Sequence, residues 1–248
     1  MNEPLFVFGG GRLGAALARV SRTPTRVFSP TPRPHAGLWL RWTATDRLPE
    51  VDGAHVCLAL APRGAADAGP LYREVVPDLV RDAWRLGAAR VTVCGPAGRG
   101  DPVADAFAPQ RIDARSAILR LGALFGVDDR CLWPLVVALR EKGTARLPRG
   151  VPATRWLWLE DAARAALRVG PGVHTLLGHE AMDLDAIGDR LVARFGGACS
   201  RTLFGDAACA PALRSLAGEP DDWESLELGE RLSVGVWVAK LPGLRRGR

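Results

Sequence analysis

The sequence predicts an α/β protein built on a doubly wound parallel sheet, and two observations lead to this prediction. The first half of the chain alternates short apolar runs with stretches of helical spacing, a pattern typical of a parallel sheet covered on both faces. A glycine-rich turn, Gly9-Gly-Gly-Arg-Leu-Gly14, follows the first apolar run and precedes the first helical stretch. With 248 residues, the chain is long enough to bury a substantial core.

Most of the predicted sheet comes from the first half of the chain. Apolar runs predict strands at Leu5–Phe8, Thr25–Phe28, Leu38–Trp42, His55–Leu60, Arg90–Cys94 and Ala117–Leu121. Helical spacing predicts helices at Leu13–Ser21 and over about Ala65–Leu86. The segment Ala97–Ser116 is rich in glycine, proline and aspartate, so we expect a loop with at most one turn of helix there.

The glycine-rich turn has the pattern of a dinucleotide-binding fingerprint. Gly9, Gly11 and Gly14 would allow a tight turn, the approach of a pyrophosphate to the backbone, and close packing of helix on strand. The helix that follows offers unpaired N–H groups and the positive end of its dipole to phosphates. Arg12 and Leu13 belong to the same turn. We therefore predict that these five residues bind a dinucleotide cofactor.

The second half of the chain has fewer predicted strands and less regular spacing. Predicted helices are Cys131–Leu139, Glu160–Val169 and Leu184–Phe195, and predicted strands are Arg155–Leu159 and Val173–Leu177. Asp183 is a suitable N-cap for the last of these helices, because its carboxylate can accept from first-turn N–H groups. We expect a dinucleotide-binding domain over residues 1–125, and a mixed segment over 126–248 that completes the sheet within one compact unit.

The residues after the second predicted strand favour NADP as the cofactor. An acid about twenty residues after the first glycine would bind the ribose 2′-hydroxyl of NAD, whereas this chain has Ser29. Arg33 follows shortly, and Arg12 lies in the glycine turn, so two cations could contact a 2′-phosphate. An equally good interpretation is that Arg33 is a solvated loop residue without a role in binding. NAD remains the alternative cofactor.

Composition and charge exclude several functional classes. The net charge of +6 comes almost wholly from arginines spread along the chain, so we expect no nucleic-acid partner. No run approaches the about 20 apolar residues that span a bilayer, and the N-terminus has no secretory pattern, so we expect a cytoplasmic protein without a membrane partner. The five scattered cysteines predict neither a metal site nor a disulfide framework. Oligomeric state has no signal in the sequence.

Several further segments follow the glycine turn in a fixed order. They are Leu58-Ala-Leu-Ala-Pro62, Ile118-Leu-Arg-Leu-Gly122 with Phe125-Gly126, Arg155-Trp-Leu-Trp-Leu-Glu-Asp-Ala-Ala163, and Leu213-Arg-Ser-Leu-Ala-Gly218. Together with the turn, they resemble the extended short-chain dehydrogenase/reductases of the NAD-dependent epimerase/dehydratase group, in an atypical form. The resemblance covers nearly the whole chain. It implies a Rossmann-type domain with a small C-terminal substrate-binding lobe and a cofactor across the strand ends.

The resemblance also assigns positions around the cofactor. It implies that Ala61 lies beside the pyrophosphate and that Leu121 lies near the nicotinamide. Cys94 occupies the position of a family Ser or Thr that hydrogen-bonds the substrate, although a buried, inert thiol is an alternative interpretation. His179 would lie on a loop directed towards the substrate lobe, and Arg155 is a second candidate for substrate binding.

The family's Tyr-x-x-x-Lys pair is absent from this sequence. Tyr72 is the only tyrosine, and the lysines are Lys142 and Lys240, so no lysine lies four residues after a tyrosine. By the resemblance, the helix that carries this pair should fall between Cys94 and Ile118, an interval that contains neither residue type.

That interval supplies the remaining candidates for a proton donor or acceptor. They are Cys94, Asp101, Asp105 and Asp113. Two interpretations stay open at this point. The chain is either an NAD(P)-dependent oxidoreductase or epimerase-like enzyme with a non-standard active site, acting on a small molecule, or a catalytically inactive NAD(P)-binding redox sensor or regulatory protein.

Overall fold

The structure is a computed structural model that describes residues 3–31, 38–62, 65–98, 102–127, 129, 131–148, 153–202 and 220–242. The described strands are β1 (Leu5–Phe8), β2 (Thr25–Ser29), β3 (Leu38–Arg41), β4 (His55–Leu58), β5 (Arg90–Pro96), β6 (Ala117–Leu121), β7 (Ala123–Phe125), β8 (Thr144–Pro148), β9 (Thr154–Trp158), β10 (Gly172–Leu176), β11 (Ala181–Met182) and β12 (Ala198–Thr202). The described α-helices are α1 (Arg12–Val20), α2 (Ala65–Pro70), α3 (Val76–Arg85), α4 (Pro102–Ala106), α5 (Trp133–Lys142), α6 (Leu159–Ala166), α7 (Leu184–Phe195) and α8 (Val234–Lys240).

A sheet of seven described strands confirms the predicted Rossmann-type α/β fold. Its order is β3-β2-β1-β4-β5-β6-β10, and every neighbouring pair is parallel. The direction of winding reverses between β1 and β4, which is the point where doubly wound sheets open a crevice beyond the carboxyl ends of their strands. The glycine turn, which follows β1 directly, therefore lies at this crevice.

Alternate residues of β1 divide between two cores, one on each face of the sheet. Leu5 and Val7 pack in the core that includes α1 and α6, whereas Phe6 and Phe8 pack in the core that includes α3. All four are buried. A central parallel strand is covered on both faces, so its side chains read as a continuous apolar run rather than an alternating one.

Part of the chain after β6 builds a smaller group of strands and helices, whereas β10 joins the main sheet and α6 packs against it. In the smaller group, β7 runs parallel to β9, β11 runs antiparallel to β9, and β8 pairs in parallel with β12. Helices α5, α7 and α8 share one core with these strands. The Phe125 ring is fully buried there, with its centroid 5.3 Å from that of Trp158 and 5.4 Å from that of Trp237.

Some predicted elements agree with the structure at both ends, whereas one is divided and several were missed. The prediction for α7 is confirmed at both ends, and Asp183 accepts a hydrogen bond from the Ala186 N–H at 2.7 Å. The single helix expected over about Ala65–Leu86 is α2 and α3, joined by a π-helical turn at Leu71–Val75. Sequence reasoning missed β7, β8, β11, β12 and α8. The missed strands have two to five residues each, and β8 (TARLP) and β12 (ACSRT) lack the continuous apolar run that marks the central strands of the main sheet.

A polar cluster lies inside the main sheet at the start of β4. The His55 Nε2 atom lies 2.9 Å from Thr92 Oγ1 and 3.4 Å from Cys57 Sγ. Burial lowers the pKa of His55 to about 3 and raises the pKa of the Cys57 thiol to about 12. Both groups are therefore neutral at physiological pH, and this pair does not provide an activated thiolate.

The buried imidazole makes the stability of the fold dependent on pH. Between the ordinary pKa of 6.5 and the folded value of about 3, the unfolded chain binds a proton that the folded chain does not. Stability is therefore lost as pH falls below about 6.5, and His55→Gln removes this contribution. Between about pH 7.5 and pH 5, we expect the free energy of unfolding of the wild type to fall by roughly 2 kcal/mol more than that of His55→Gln.

Urea denaturation at both pH values measures this difference. His174→Gln serves as the control, because His174 is only partly buried. Equal losses of stability in the wild type and His55→Gln would contradict the assignment of a buried, neutral His55.

Candidate functional site

Most of the predicted cofactor residues converge on the carboxyl edge of the main sheet. Gly9 follows β1, and its N–H donates to the Phe28 carbonyl at 2.9 Å. The Ala59 N–H, just after β4, donates to the Phe8 carbonyl at 2.8 Å. The predicted cofactor residues at or just beyond this edge are Gly9, Gly11, Arg12, Leu13, Gly14, Ser29, Ala61, Cys94 and Leu121.

The three glycines of the fingerprint differ in what the fold requires of them. Gly9 has φ +119°, and a Cβ there would overlap the Ala59 carbonyl oxygen. A Cβ on Gly14 would overlap the Gly9 carbonyl oxygen, so α1 can approach the turn only if this residue is glycine. Gly11 has φ −67°, and no described atom lies within 4 Å of the position of its Cβ. The fold needs Gly9 and Gly14, whereas the space beside Gly11 is open to a ligand.

The amino end of α1 faces this open space. The helix begins at Arg12 with Gly11 as its N-cap, so the cap offers no side-chain acceptor, and the first turn carries no acidic residue. The first-turn N–H groups of a helix have no partner within it, and they lie at the positive end of the helix dipole. An anion beside Gly11 would be stabilised by both features.

The end of β2 presents a short hydroxyl and a neighbouring cation. Ser29 is buried, and its Oγ donates to the Thr31 carbonyl at 3.1 Å. Arg41, the last residue of β3, lies opposite Ser29 in the parallel register and is exposed. Residues paired in this way have their side chains on the same face of the sheet, so Arg41 and Ser29 share a face. On that face, the Ser29 side chain packs against Gly10 of the turn. Arg33 lies outside the described residues. Sequence reasoning missed Arg41, because only the strand register places it beside Ser29.

The end of β5 carries a neutral thiol and an apolar cover. Burial raises the pKa of Cys94 well above its ordinary value, so the thiol stays protonated. The Phe107 ring lies 2.7 Å from the position of a Cβ on Gly95. Tyr72 packs edge-on against the same ring, with 5.2 Å between centroids, and its hydroxyl donates to the Leu60 carbonyl at 3.3 Å. Burial also raises the pKa of Tyr72, so it is a poor base near neutral pH.

The three aspartates predicted as candidates lie in different places. Asp105 is exposed on α4, the short helix that follows β5. Asp101 lies outside the described residues. Asp113 lies four residues before β6 begins, near the amino edge of the sheet and opposite the glycine turn. Hydrogen bonds from Arg115 lower the pKa of Asp113 to about 2, so this carboxylate stays ionised. Its position and its charge do not favour the predicted role as a proton donor at the glycine turn.

The guanidinium group of Arg155, a predicted substrate candidate, is engaged within the protein. Its Nε donates to the Gly178 carbonyl at 2.8 Å, and its Nη2 forms an ion pair with Asp221 at 2.9 Å. Arg231, which sequence reasoning missed, pairs with the same carboxylate. His179 follows Gly178 beyond β10 and is exposed. These contacts fasten the C-terminal segment to the end of β10, and they leave His179 as the described substrate candidate on this side.

Two kinds of site find no support in the described part of the chain. None of its His, Cys, Asp and Glu side chains form a group of three or more that could hold a metal ion. Among its helices, none has the length and apolar character needed to cross a membrane.

Comparison by sequence gives no relative: no family model matches the chain, and no curated protein matches it. Comparison by structure gives matches over nearly the whole length. MoeE5 in complex with UDP-glucuronic acid and NAD has a TM-score of 0.70 at 16% identity, over 96% of this chain and 97% of that chain. The NAD-dependent NDP-hexosamine 5,6-dehydratase TunA, involved in tunicamycin biosynthesis, has a TM-score of 0.68 at 14% identity, over 95% of each chain.

A third solved structure, a UDP-N-acetylglucosamine 4-epimerase from Methanobrevibacter ruminantium M1 in complex with UDP-N-acetylmuramic acid, has a TM-score of 0.68 at 12% identity. The match covers 96% of this chain and 98% of that chain. The chain therefore has the fold of the NAD-dependent epimerases and dehydratases.

Proposed function

We propose that the chain binds a nicotinamide dinucleotide at the glycine turn, with its pyrophosphate beside Gly11 and the amino end of α1. The open space at Gly11 carries this proposal. Gly9 and Gly14 are explained by packing alone, whereas Gly11 relieves no contact with the described part of the protein. A phosphate group fits this position because it needs backbone N–H donors and close approach. Structures of the same fold that hold NAD support the proposal.

We further propose that the dinucleotide serves an oxidoreductase or epimerase-like reaction on a small molecule. Nucleotide-activated sugars are the proposed substrate class, supported by the UDP-glucuronic acid and UDP-N-acetylmuramic acid named with two of the structural neighbours. The bound cofactor would supply hydride transfer. The chain's own residues would bind and orient it: α1 holds the phosphates, and the ends of β5 and β6 border the nicotinamide position.

Proton transfer would require a group other than a Tyr-x-x-x-Lys pair. The Cys94 thiol is protonated and buried, so it can donate a hydrogen bond but is a weak general acid. Asp105 is exposed on the helix that follows β5. Any transferred proton would therefore come from this carboxyl, from Asp101, from water or from the substrate itself.

The second candidate function is an NAD(P)-binding redox sensor or regulatory protein without catalytic activity. The Phe107 ring over Gly95 and the buried Cys94 favour it, because an apolar cover and an inert thiol occupy the end of β5. Such a protein would retain the cofactor site and would not convert a nucleotide sugar.

The glycine turn can be tested with one substitution that the fold tolerates. Gly11→Val places its side chain in open space at a φ that valine accepts, so the variant should fold like the wild type. We expect it to bind NADPH and NADH at least tenfold more weakly, which is about 1.4 kcal/mol, because the side chain fills the phosphate position. Fluorescence titration measures both affinities.

Gly170→Val is the matched control, because Gly170 also has open space at its Cβ position and lies away from the turn. If Gly11→Val is folded and binds both dinucleotides as tightly as Gly170→Val, the proposed pyrophosphate site is wrong.

The preference for NADP, which is part of the proposal, depends on cations near Ser29. Arg33→Ala and Arg41→Ala should each weaken NADPH binding by about ten- to a hundredfold if that arginine contacts the 2′-phosphate, because a charge-assisted contact contributes roughly 1.5–3 kcal/mol. NADH binding should change little. Arg47→Ala, which removes an exposed charge beyond β3, is the control. Parallel losses for NADPH and NADH in both variants would show that neither arginine recognises the 2′-phosphate.

The buried position of Tyr72 predicts that its hydroxyl takes no part in proton transfer. Tyr72→Phe keeps the ring on Phe107 and removes only the hydroxyl, and Lys142→Met changes an exposed residue at the end of α5. We expect both variants to convert nucleotide sugars at the wild-type rate in the presence of NAD or NADP. A folded Tyr72→Phe protein that loses about three orders of magnitude in kcat, or about 4 kcal/mol of transition-state stabilisation, would contradict this. Absence of turnover in the wild type, with dinucleotide binding intact, would favour the second candidate.

A further inference from the structure

A cavity of about 490 Å³ opens at the amino edge of the main sheet, opposite the glycine turn. Leu5, His55 and Arg90, the first residues of β1, β4 and β5, line its base. The chain that follows α1 and the carboxyl end of α6 form its sides. The cavity is separate from the proposed dinucleotide site, because the two lie at opposite ends of β1. This strand has four residues, and each residue adds about 3.3 Å to its length.

Positive side chains dominate the lining of this cavity. The lining includes one acidic residue, Glu3, and four arginines, which are Arg22, Arg90, Arg164 and Arg168. The formal charge of the lining is therefore +3. Arg22 and Arg168 are exposed, and within the described part of the chain their guanidinium groups make neither a hydrogen bond nor an ion pair. Two guanidinium groups are therefore available to a ligand at the mouth of the cavity.

Two effects oppose this charge, and neither cancels it. Arg164 is paired with Asp161 at 2.7 Å, which removes about one unit. The carboxyl ends of α1 and α6 lie at the cavity, and each helix end carries about half a negative charge. The balance remains positive by about one unit, and Arg22 and Arg168 account for it.

Arg90 is held rigidly at the base. Its Nη1 donates to the Leu167 carbonyl at 2.9 Å, and its Nη2 donates to the Val169 carbonyl. The hydroxyls of Ser21 and Thr23 line the same cavity and lie 3.2 Å apart, and the Ser21 hydroxyl also contacts the Thr23 carbonyl at 3.2 Å. Guanidinium groups and hydroxyls are the donors that recognise phosphate oxygens in proteins, and arginine does so with two parallel hydrogen bonds.

We propose that this cavity is a binding site for a small phosphate-bearing anion, with Arg22 and Arg168 as its principal ligands. Concave sites for small molecules enclose about 300–1,000 Å³, and this cavity lies in that range. Inorganic pyrophosphate would fill only part of the volume, so a phosphorylated organic molecule would also fit. The site is independent of the proposed function, because it uses no residue of the glycine turn.

Isothermal titration calorimetry at constant ionic strength tests the proposal. Gly11→Val is the parent protein, so that the glycine turn does not compete for the ligand. Inorganic pyrophosphate and glucose 1-phosphate are titrated separately into this parent and into the same protein with Arg22→Ala and Arg168→Ala. We expect the parent to bind at least one probe and the double substitution to weaken that binding at least tenfold. The tighter probe distinguishes an inorganic from an organic phosphate.

The matched control carries Arg81→Ala and Arg140→Ala, which remove the same charge from exposed positions on α3 and α5. A parent that binds neither probe, or equal weakening in the control and the test protein, would overturn the proposal. Arg168→Glu alone is a second test variant, and circular dichroism verifies that each protein is folded. The charge reversal in Arg168→Glu should abolish binding of the probe. Undiminished binding in this variant, when it is folded, would also overturn the proposal.

Discussion

Three backbone segments approach one another closely at the end of β1: the glycine turn, the chain after β4, and α1. The arrangement of the main sheet and its first helix depends on this approach. The turn passes so near the chain after β4 that Gly9 can carry no side chain, and α1 passes so near the turn that Gly14 can carry none. This contact sets α1 against the sheet at the point where its winding reverses. Because packing accounts for two of the three fingerprint glycines, only Gly11 is left for a ligand to explain. A glycine pattern therefore combines folding and binding requirements that only the structure separates.

Sequence reasoning predicted the parts of the fold whose signals are local. The buried strands of the main sheet are continuous apolar runs, and α7 has both a full periodic pattern and an N-cap at Asp183. The ion pair between Arg155 and Asp221 joins residues 66 positions apart, so no window of sequence contains its signal. The position of Asp113 in the chain predicts a place near the cleft, but the loop returns to the amino edge before β6 begins. The contacts of Arg155 and the position of Asp113 thus depend on how distant parts of the chain come together, which residue type alone does not indicate.

The two halves of the proposed function depend on different chemistry, which is why they can be separated in one chain. Dinucleotide phosphates would be bound by backbone N–H groups and a helix dipole, and these require only glycine and a helix. Proton transfer requires a particular side chain with a suitable pKa at a particular point. At the end of β5, the described side chains are an inert thiol and apolar groups, and the tyrosine hydroxyl is directed to the Leu60 carbonyl. The binding geometry thus gives no assurance of a catalytic one.

The same dipole argument explains why the two proposed anion sites differ in composition. At its amino end, α1 supplies N–H donors and positive potential, so the glycine turn needs no cationic side chain to attract a phosphate. At the carboxyl ends of α1 and α6, the backbone presents carbonyl groups and negative potential, so a site for an anion there must supply its own cations. Arg22, Arg90 and Arg168 meet this requirement. A nine-residue helix is about 13 Å long, so one short element borders both sites.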